Sequence, residues 1–121
     1  QPREYAEAGG ARRRPPRKLH VITMLNKPWQ HHCTTIKSAL CHRVPLEIIG
    51  WHTGKRQAYF AAVMSKMFLT ERHIATLPPE DFVLFVDAGD IVFNGDVDEI
   101  YDRFVKIGSS IVFNAESQCS G

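Results

Sequence analysis

The chain alternates apolar runs with amphipathic stretches, and polar breaks separate them. Leu19-His20-Val21-Ile22-Thr23-Met24 is a short apolar run suited to a buried strand, ended by the polar stretch Asn26 to Pro28. Trp29 to His42 reads as a helix, with Cys33, Ile36, Leu40 and Cys41 at helical spacing. Pro45 opens a second strand, Leu46-Glu47-Ile48-Ile49, which Gly50 closes, and residues 51 to 57 form a polar loop. A longer helix runs from Ala58 to His73, with Phe60, Val63, Met64, Met67 and Phe68 on one apolar face, and Pro78-Pro79 lie beyond it. Phe82-Val83-Leu84-Phe85-Val86 is the strongest strand. Its unbroken hydrophobicity predicts a central parallel strand covered on both faces. Ile91-Val92-Phe93 extends the sheet briefly, and Asn94-Gly95 turns the chain. Asp96 is the expected N-cap of a helix that puts Val97, Ile100, Tyr101, Phe104 and Ile107 on one side and stops at Gly108. Ser110-Ile111-Val112-Phe113-Asn114 is a fourth predicted strand. This β-α-β-α-β-α-β order implies an α/β fold with a mainly parallel sheet flanked by helices, and there is no internal repeat.

Composition and charge bound the picture. With 121 residues, 44% hydrophobic and 23% charged, the chain suffices for one modest domain. The net charge of +2 is placed unevenly, because Arg12, Arg13, Arg14, Arg17 and Lys18 crowd one stretch. Residues 1 to 17 have almost no large apolar side chain and read as a disordered basic leader. The folded part is therefore expected over 18 to 121. Its near-neutral balance gives no nucleic-acid footprint. No apolar run approaches the roughly 18 residues of a membrane span. No secretory signal is visible, but the chain opens on Gln1, so that absence carries no weight. Three cysteines, Cys33, Cys41 and Cys119, do not make a closed disulfide framework. His31, His32, Cys33, Cys41 and His42 follow no structural zinc spacing, and the two cysteines read as core residues. There is no Walker-type loop and no nucleophile elbow.

The most unusual polar cluster is Asp87-Ala88-Gly89-Asp90, directly after the strongest strand. Parallel sheets bind ligands beyond the carboxyl ends of their strands. An unpaired carboxylate after five apolar residues is costly, and a second one three residues on adds repulsion. A divalent cation resolves both. Hard oxygen donors suit Mg²⁺ or Mn²⁺, which keep waters and bind diphosphates. Two other chemistries fit the same residues. Asp and Gly after a strand are ordinary turn formers, and an aspartyl-phosphate phosphatase uses such an Asp as nucleophile, although that strand usually opens its domain.

Phe82 to Phe93, the following Asp98-Glu99-Ile100 and Arg103-Phe104, and Ser109 to Cys119 with its Ala115-Glu116-Ser117-Gln118-Cys119 stretch together resemble the glycosyltransferase domain of the procollagen lysine hydroxylase–glycosyltransferase family. Leu19 to Thr23 resembles that domain's first strand, so the likeness covers about residues 18 to 119 and is most specific over 82 to 119. The resemblance implies a GT-A fold, of which this chain holds the nucleotide-binding half. It implies a UDP-sugar donor (UDP-galactose or UDP-glucose), a Mn²⁺ or Mg²⁺ cofactor, and a protein acceptor such as hydroxylysine in the lumen of the endoplasmic reticulum or Golgi. It makes Asp87 and Asp90 metal ligands, sets Thr23 and Trp51 near the nucleotide, and brings Lys66 to the diphosphate. Each has a plain alternative: Thr23 a strand-end hydroxyl satisfied by backbone, Trp51 a packing aromatic, Lys66 a solvated helix lysine. Glu116 reads as a sugar-hydroxyl contact or a solvated loop residue. The sequence departs from the family pattern at Gly89, where an aromatic is common, and at Gly54-Lys55-Arg56-Gln57, which replaces a glycine-rich loop. The family's later metal-binding histidine is not among these residues, which leaves two readings open: part of an active transferase, or a non-catalytic remnant that binds.

Overall fold

The computed structural model describes residues 17–26, 30–51 and 59–115. Six elements follow one another: β1 Leu19–Met24, α1 His32–Cys41, β2 Leu46–Ile49, α2 Tyr59–Ile74, β3 Phe82–Phe85 and α3 Asp98–Ile107. The strands form one parallel sheet in the order β2-β1-β3. This is the expected α/β arrangement, a small parallel sheet flanked by helices. Of the predicted leader, only Arg17 lies among the described residues, and its guanidinium sits 5.7 Å from the Phe82 ring centroid.

Register decides which side chains share a face. Ile22 stands opposite Glu47 on one side and Phe85 on the other. His20, Ile22, Met24, Glu47, Val83 and Phe85 therefore share the face that α2 covers. The opposite face carries Leu19, Val21, Thr23, Leu46 and Leu84. There Val21 packs with Ala39 of α1 and with Val44, Phe93 and Val97 to form the core. At the rim of that face the Phe82 ring meets Tyr101 and Phe104 of α3 edge-on, with centroids 5.0 and 5.8 Å away.

Four expectations are corrected. The central strand is β1, in which Val21, Ile22 and Thr23 are fully buried. β3 is an edge strand among the described residues, with Val83 36% exposed. An unbroken apolar run marks burial of the two faces and says nothing about neighbours within the sheet. Second, Cys33, Cys41 and Leu40 of α1 are exposed, and the helix buries Thr35 and Ala39 instead. It docks through small and hydroxyl side chains that backbone groups can approach. Third, Ile91-Val92-Phe93 joins no ladder. The Phe93 N–H donates to Ser38 Oγ at 2.9 Å, so a helix hydroxyl replaces a strand partner. Fourth, residues 110–114 form no strand, and Phe113 is 86% exposed. High β-propensity cannot make a ladder without an adjoining edge in register. The stop at Gly108 is as expected, with φ +69°. Asp96 acts one residue before the N-cap Val97, its Oδ1 accepting from the Asp98 N–H at 2.9 Å.

A second polar cluster fastens the α2 face at the other end of β1. His20 is buried, with Nδ1 2.8 Å from Glu47 Oε1 and Nε2 2.9 Å from Asp81 Oδ2. His73 of α2 reaches Glu47 Oε2 at 2.8 Å. Ionised carboxylates only accept, so both ring nitrogens of His20 must donate and the ring is an imidazolium. Hydrogen bonds to Asp81 and then Glu47 raise its pKa against the opposing effect of burial. The Asp81 pKa is lowered first by the Lys18 backbone N–H and then by His20. For Glu47, burial pushes upward, but the bonds from His20 and His73 outweigh it and the pKa is lowered.

The signs give a pH prediction. The His20 contribution is complete below the unfolded histidine value of about 6.5 and is lost as pH rises through the raised folded value. The carboxylate contributions are present above about 4 and are lost as pH falls through the lowered folded values. His20→Gln should cost about 2 kcal/mol near neutrality. It should also flatten the alkaline fall in stability measured by urea denaturation between pH 6 and 9. An unchanged alkaline limb in the variant would show that this imidazolium does not carry it.

Candidate functional site

Successive connections from β1 leave in opposite directions. The chain passes through α1 to β2 on one side, then returns through α2 across β1 to β3. The carboxyl ends of β1 and β3 therefore flank a topological switch point, where open α/β sheets form their ligand crevice. Thr23 and Asp87 stand at those two ends.

The chain leaving β3 is held by hydroxyl groups from two elements. Val86 N–H still pairs with Ile22 C=O at 2.9 Å. Then Ala88 N–H donates to Thr23 Oγ1 at 3.2 Å and Gly89 N–H to Thr35 Oγ1 at 2.9 Å. Thr35 Oγ1 in turn donates to Ile91 C=O at 2.6 Å, so one buried hydroxyl spans the turn. Ser38 Oγ repeats the pattern, accepting from Phe93 N–H and donating to Thr35 C=O at 2.8 Å. Asp90 N–H closes the turn onto Asp87 C=O at 3.3 Å. Gly89 has φ +97°, a conformation that a side chain resists. A Cβ there would lie 3.4 Å from His32 Cδ2, an ordinary contact, so backbone conformation and not crowding calls for glycine.

Asp87 continues the alternation of Val83 and Phe85 and so faces α2. Lys66 Nζ lies 2.5 Å from Asp87 Oδ1, with side-chain exposures of 35% and 52%. The same ammonium stands 6.0 Å from the Phe85 ring centroid. Beside it, an open groove of about 430 Å³ runs along α2, lined by Lys66, Met67, Thr70, Glu71, Ile74 and Phe85. Asp90 is exposed at the end of the turn.

Among the described residues, no three His, Cys, Asp or Glu side chains come together as a metal site. Two exposed carboxylates one turn apart suit a hard dication that keeps waters and takes ligand oxygens, and do not suit a closed structural site. Asp87 is half-exposed and already paired with Lys66, so the unpaired carboxylate expected from the sequence is not found. The structure thus joins Lys66 and Asp87 on the α2 side of the turn, with Asp90 exposed at its end, while Thr23 lies buried on the α1 side and reaches only the Ala88 backbone. Trp51 is not joined to them by any contact. It follows β2, one strand removed, and is 43% exposed. Gly54–Gln57, Glu116 and Cys119 lie outside the described residues. Thr35 and Ser38 were not singled out from the sequence. Their signal is a small, hydroxyl-bearing face on α1, which the spacing of larger apolar residues obscures.

No family model matches the chain. The chain is similar to a procollagen-lysine,2-oxoglutarate 5-dioxygenase of Drosophila melanogaster, at 29% identity over 108 residues, 84% of this chain and 15% of the relative. It is also similar to the multifunctional procollagen lysine hydroxylase and glycosyltransferase LH3 of Homo sapiens and of Pongo abelii, at 27% identity over 109 residues, 86% of this chain and 15% of each relative. The chain spans about 15% of the length of these curated relatives. The resemblance read from residues 18 to 119 is therefore borne out: over most of its length this chain is similar to one stretch of procollagen lysine-modifying enzymes.

Proposed function

We propose that this chain is the nucleotide-binding part of a GT-A glycosyltransferase domain. In this reading it uses a UDP-sugar donor, UDP-galactose or UDP-glucose, and Mn²⁺ or Mg²⁺. The hexose goes to a protein acceptor such as hydroxylysine in the endoplasmic reticulum or Golgi lumen. Asp87 and Asp90 hold the metal. The observation that carries the reading is the position of the Asp87–Asp90 turn, fixed by Thr23 and Thr35 over the crevice between β1 and β3. The likeness to the human and Pongo abelii relatives, whose names include a glycosyltransferase, supports it. No helix among the described residues is long and apolar enough to cross a membrane.

Asp87 and Asp90 would hold the divalent cation, which when bound would supply positive charge to a diphosphate leaving group. The chain's own residues do the positioning. Thr23 and Thr35 fix the backbone amides of the turn, so the carboxylates are set in place before a ligand arrives. Lys66 supplies a second positive charge on the α2 side. Thr23, buried at the end of β1, acts on the site only through the Ala88 N–H that it holds. Trp51 flanks the nucleotide from the β2 side.

A second reading, a non-catalytic module of the same fold, is favoured by one observation: the described residues offer two carboxylates and no third ligand. Binding is common to both readings, and sugar transfer belongs to the first alone. An aspartyl-phosphate phosphatase would instead form a phosphoryl-enzyme on Asp87 and would not need UDP.

Calorimetric titration of UDP with and without Mn²⁺ is the direct test. Binding should require Mn²⁺, and Asp87→Ala and Asp90→Ala should each weaken it at least about tenfold, the scale of losing one charged metal contact. Metal-dependent UDP binding that survives Asp87→Ala would overturn the assignment. Thr35→Val should lower stability by about 1 kcal/mol, because two part-buried backbone groups, Gly89 N–H and Ile91 C=O, lose their partner. The same variant should weaken Mn²⁺–UDP binding with Asp87 and Asp90 intact. Unaltered affinity would mean that the hydroxyl clasp does not position the turn.

A further inference from the structure

We infer that Lys66 is the resident counter-cation of the metal-free site, which a divalent ion must displace from Asp87. This inference rests on the reading of Asp87 as a metal ligand. It goes further by making Lys66 a gate on metal entry.

Three observations carry it. The Lys66 ammonium sits on Asp87 Oδ1 itself, on the α2 side to which the alternation of β3 directs that carboxylate. Both partners are partly exposed, so the pair is weak enough to open. Lys66 also lies in the middle of α2, whose far end His73 ties to Glu47. The helix therefore cannot carry the lysine away, but its flexible four-carbon stem can swing the charge by several ångströms.

A dication and an ammonium cannot share one carboxylate oxygen without strong repulsion. Metal entering a nucleotide-free site therefore loses the free energy of the Lys66–Asp87 pair and leaves an unpaired ammonium beside it. A diphosphate arriving with the metal takes over that ammonium, since it adds anionic oxygens within reach of the same stem. Metal and diphosphate binding thereby become positively coupled, and linkage makes the coupling reciprocal. Lys66 is an exchangeable counter-charge in this scheme, and its action is read without any turnover.

The test uses the 121-residue chain titrated with MnCl₂, following free Mn²⁺ by electron paramagnetic resonance, alone and with saturating UDP or UMP. Lys66→Met should bind Mn²⁺ about fivefold more tightly than wild type without nucleotide, as expected for releasing an exposed ion pair. The enhancement of Mn²⁺ affinity by UDP should fall by about the same factor, while the smaller effect of UMP stays unchanged. Lys66→Arg should keep the wild-type pattern, and Lys66→Gln should repeat the methionine result if Lys66→Met folds poorly. If the methionine and glutamine variants bind nucleotide-free Mn²⁺ no more tightly while Asp87→Asn abolishes binding, the gate is wrong and the metal site stands. If Asp87→Asn binds Mn²⁺ like wild type, or neither wild type nor Lys66→Met binds it, both the gate and the metal site are wrong.

Discussion

After Val86 makes the last bond to β1, the chain leaves the ladder as a part-buried turn whose amide groups still need acceptors. Hydroxyls supply them: Thr23 from β1, Thr35 and Ser38 from α1. The rest of the crevice depends on this substitution of side chains for a strand. It fixes a glycine at positive φ and turns the chain back over the α1 face. Asp87 is left on the α2 side and Asp90 at the rim. It also explains why α1 buries hydroxyl and small residues while its cysteines and Leu40 face outward. A helix that must bring hydroxyls to a backbone cannot also dock through bulky apolar groups.

Two charged groupings use α2 in opposite ways. Near its C-terminal end, His73 joins Glu47, His20 and Asp81 in a partly buried cluster that ties all three strands together. Seven residues earlier, roughly 10 Å along the axis, Lys66 meets Asp87 in a half-exposed pair. Burial makes the first grouping a fastening that is expensive to open, and solvent makes the second exchangeable. A fixed helix thus carries a movable charge at the end of β3.

Much of this was legible in the sequence because it is local. The bounds of β1 and β2, the length of α2 and the stop at Gly108 follow from periodicity and breaker residues. Asp87 and Asp90 stood out because acids at the tip of an apolar strand need a reason. The remainder depends on pairings across long stretches of chain. His20 meets partners 27 and 61 residues away, and Thr35 meets Gly89 across 54. No spacing rule reaches that far. The apolar run of β3 looks the same in an edge strand as in a central one, and residues 110–114 show strand character without a neighbour to pair with.

The most direct measurement of the central claim is the backbone amide spectrum of the ¹⁵N-labelled chain during addition of substoichiometric Mn²⁺. If the Asp87–Asp90 turn is a cation site, the signals of Ala88, Gly89 and Asp90 should broaden first, while those of His20, Glu47 and His73 persist. Broadening that begins at the histidine cluster, or spreads evenly over the chain, would contradict a metal at the end of β3.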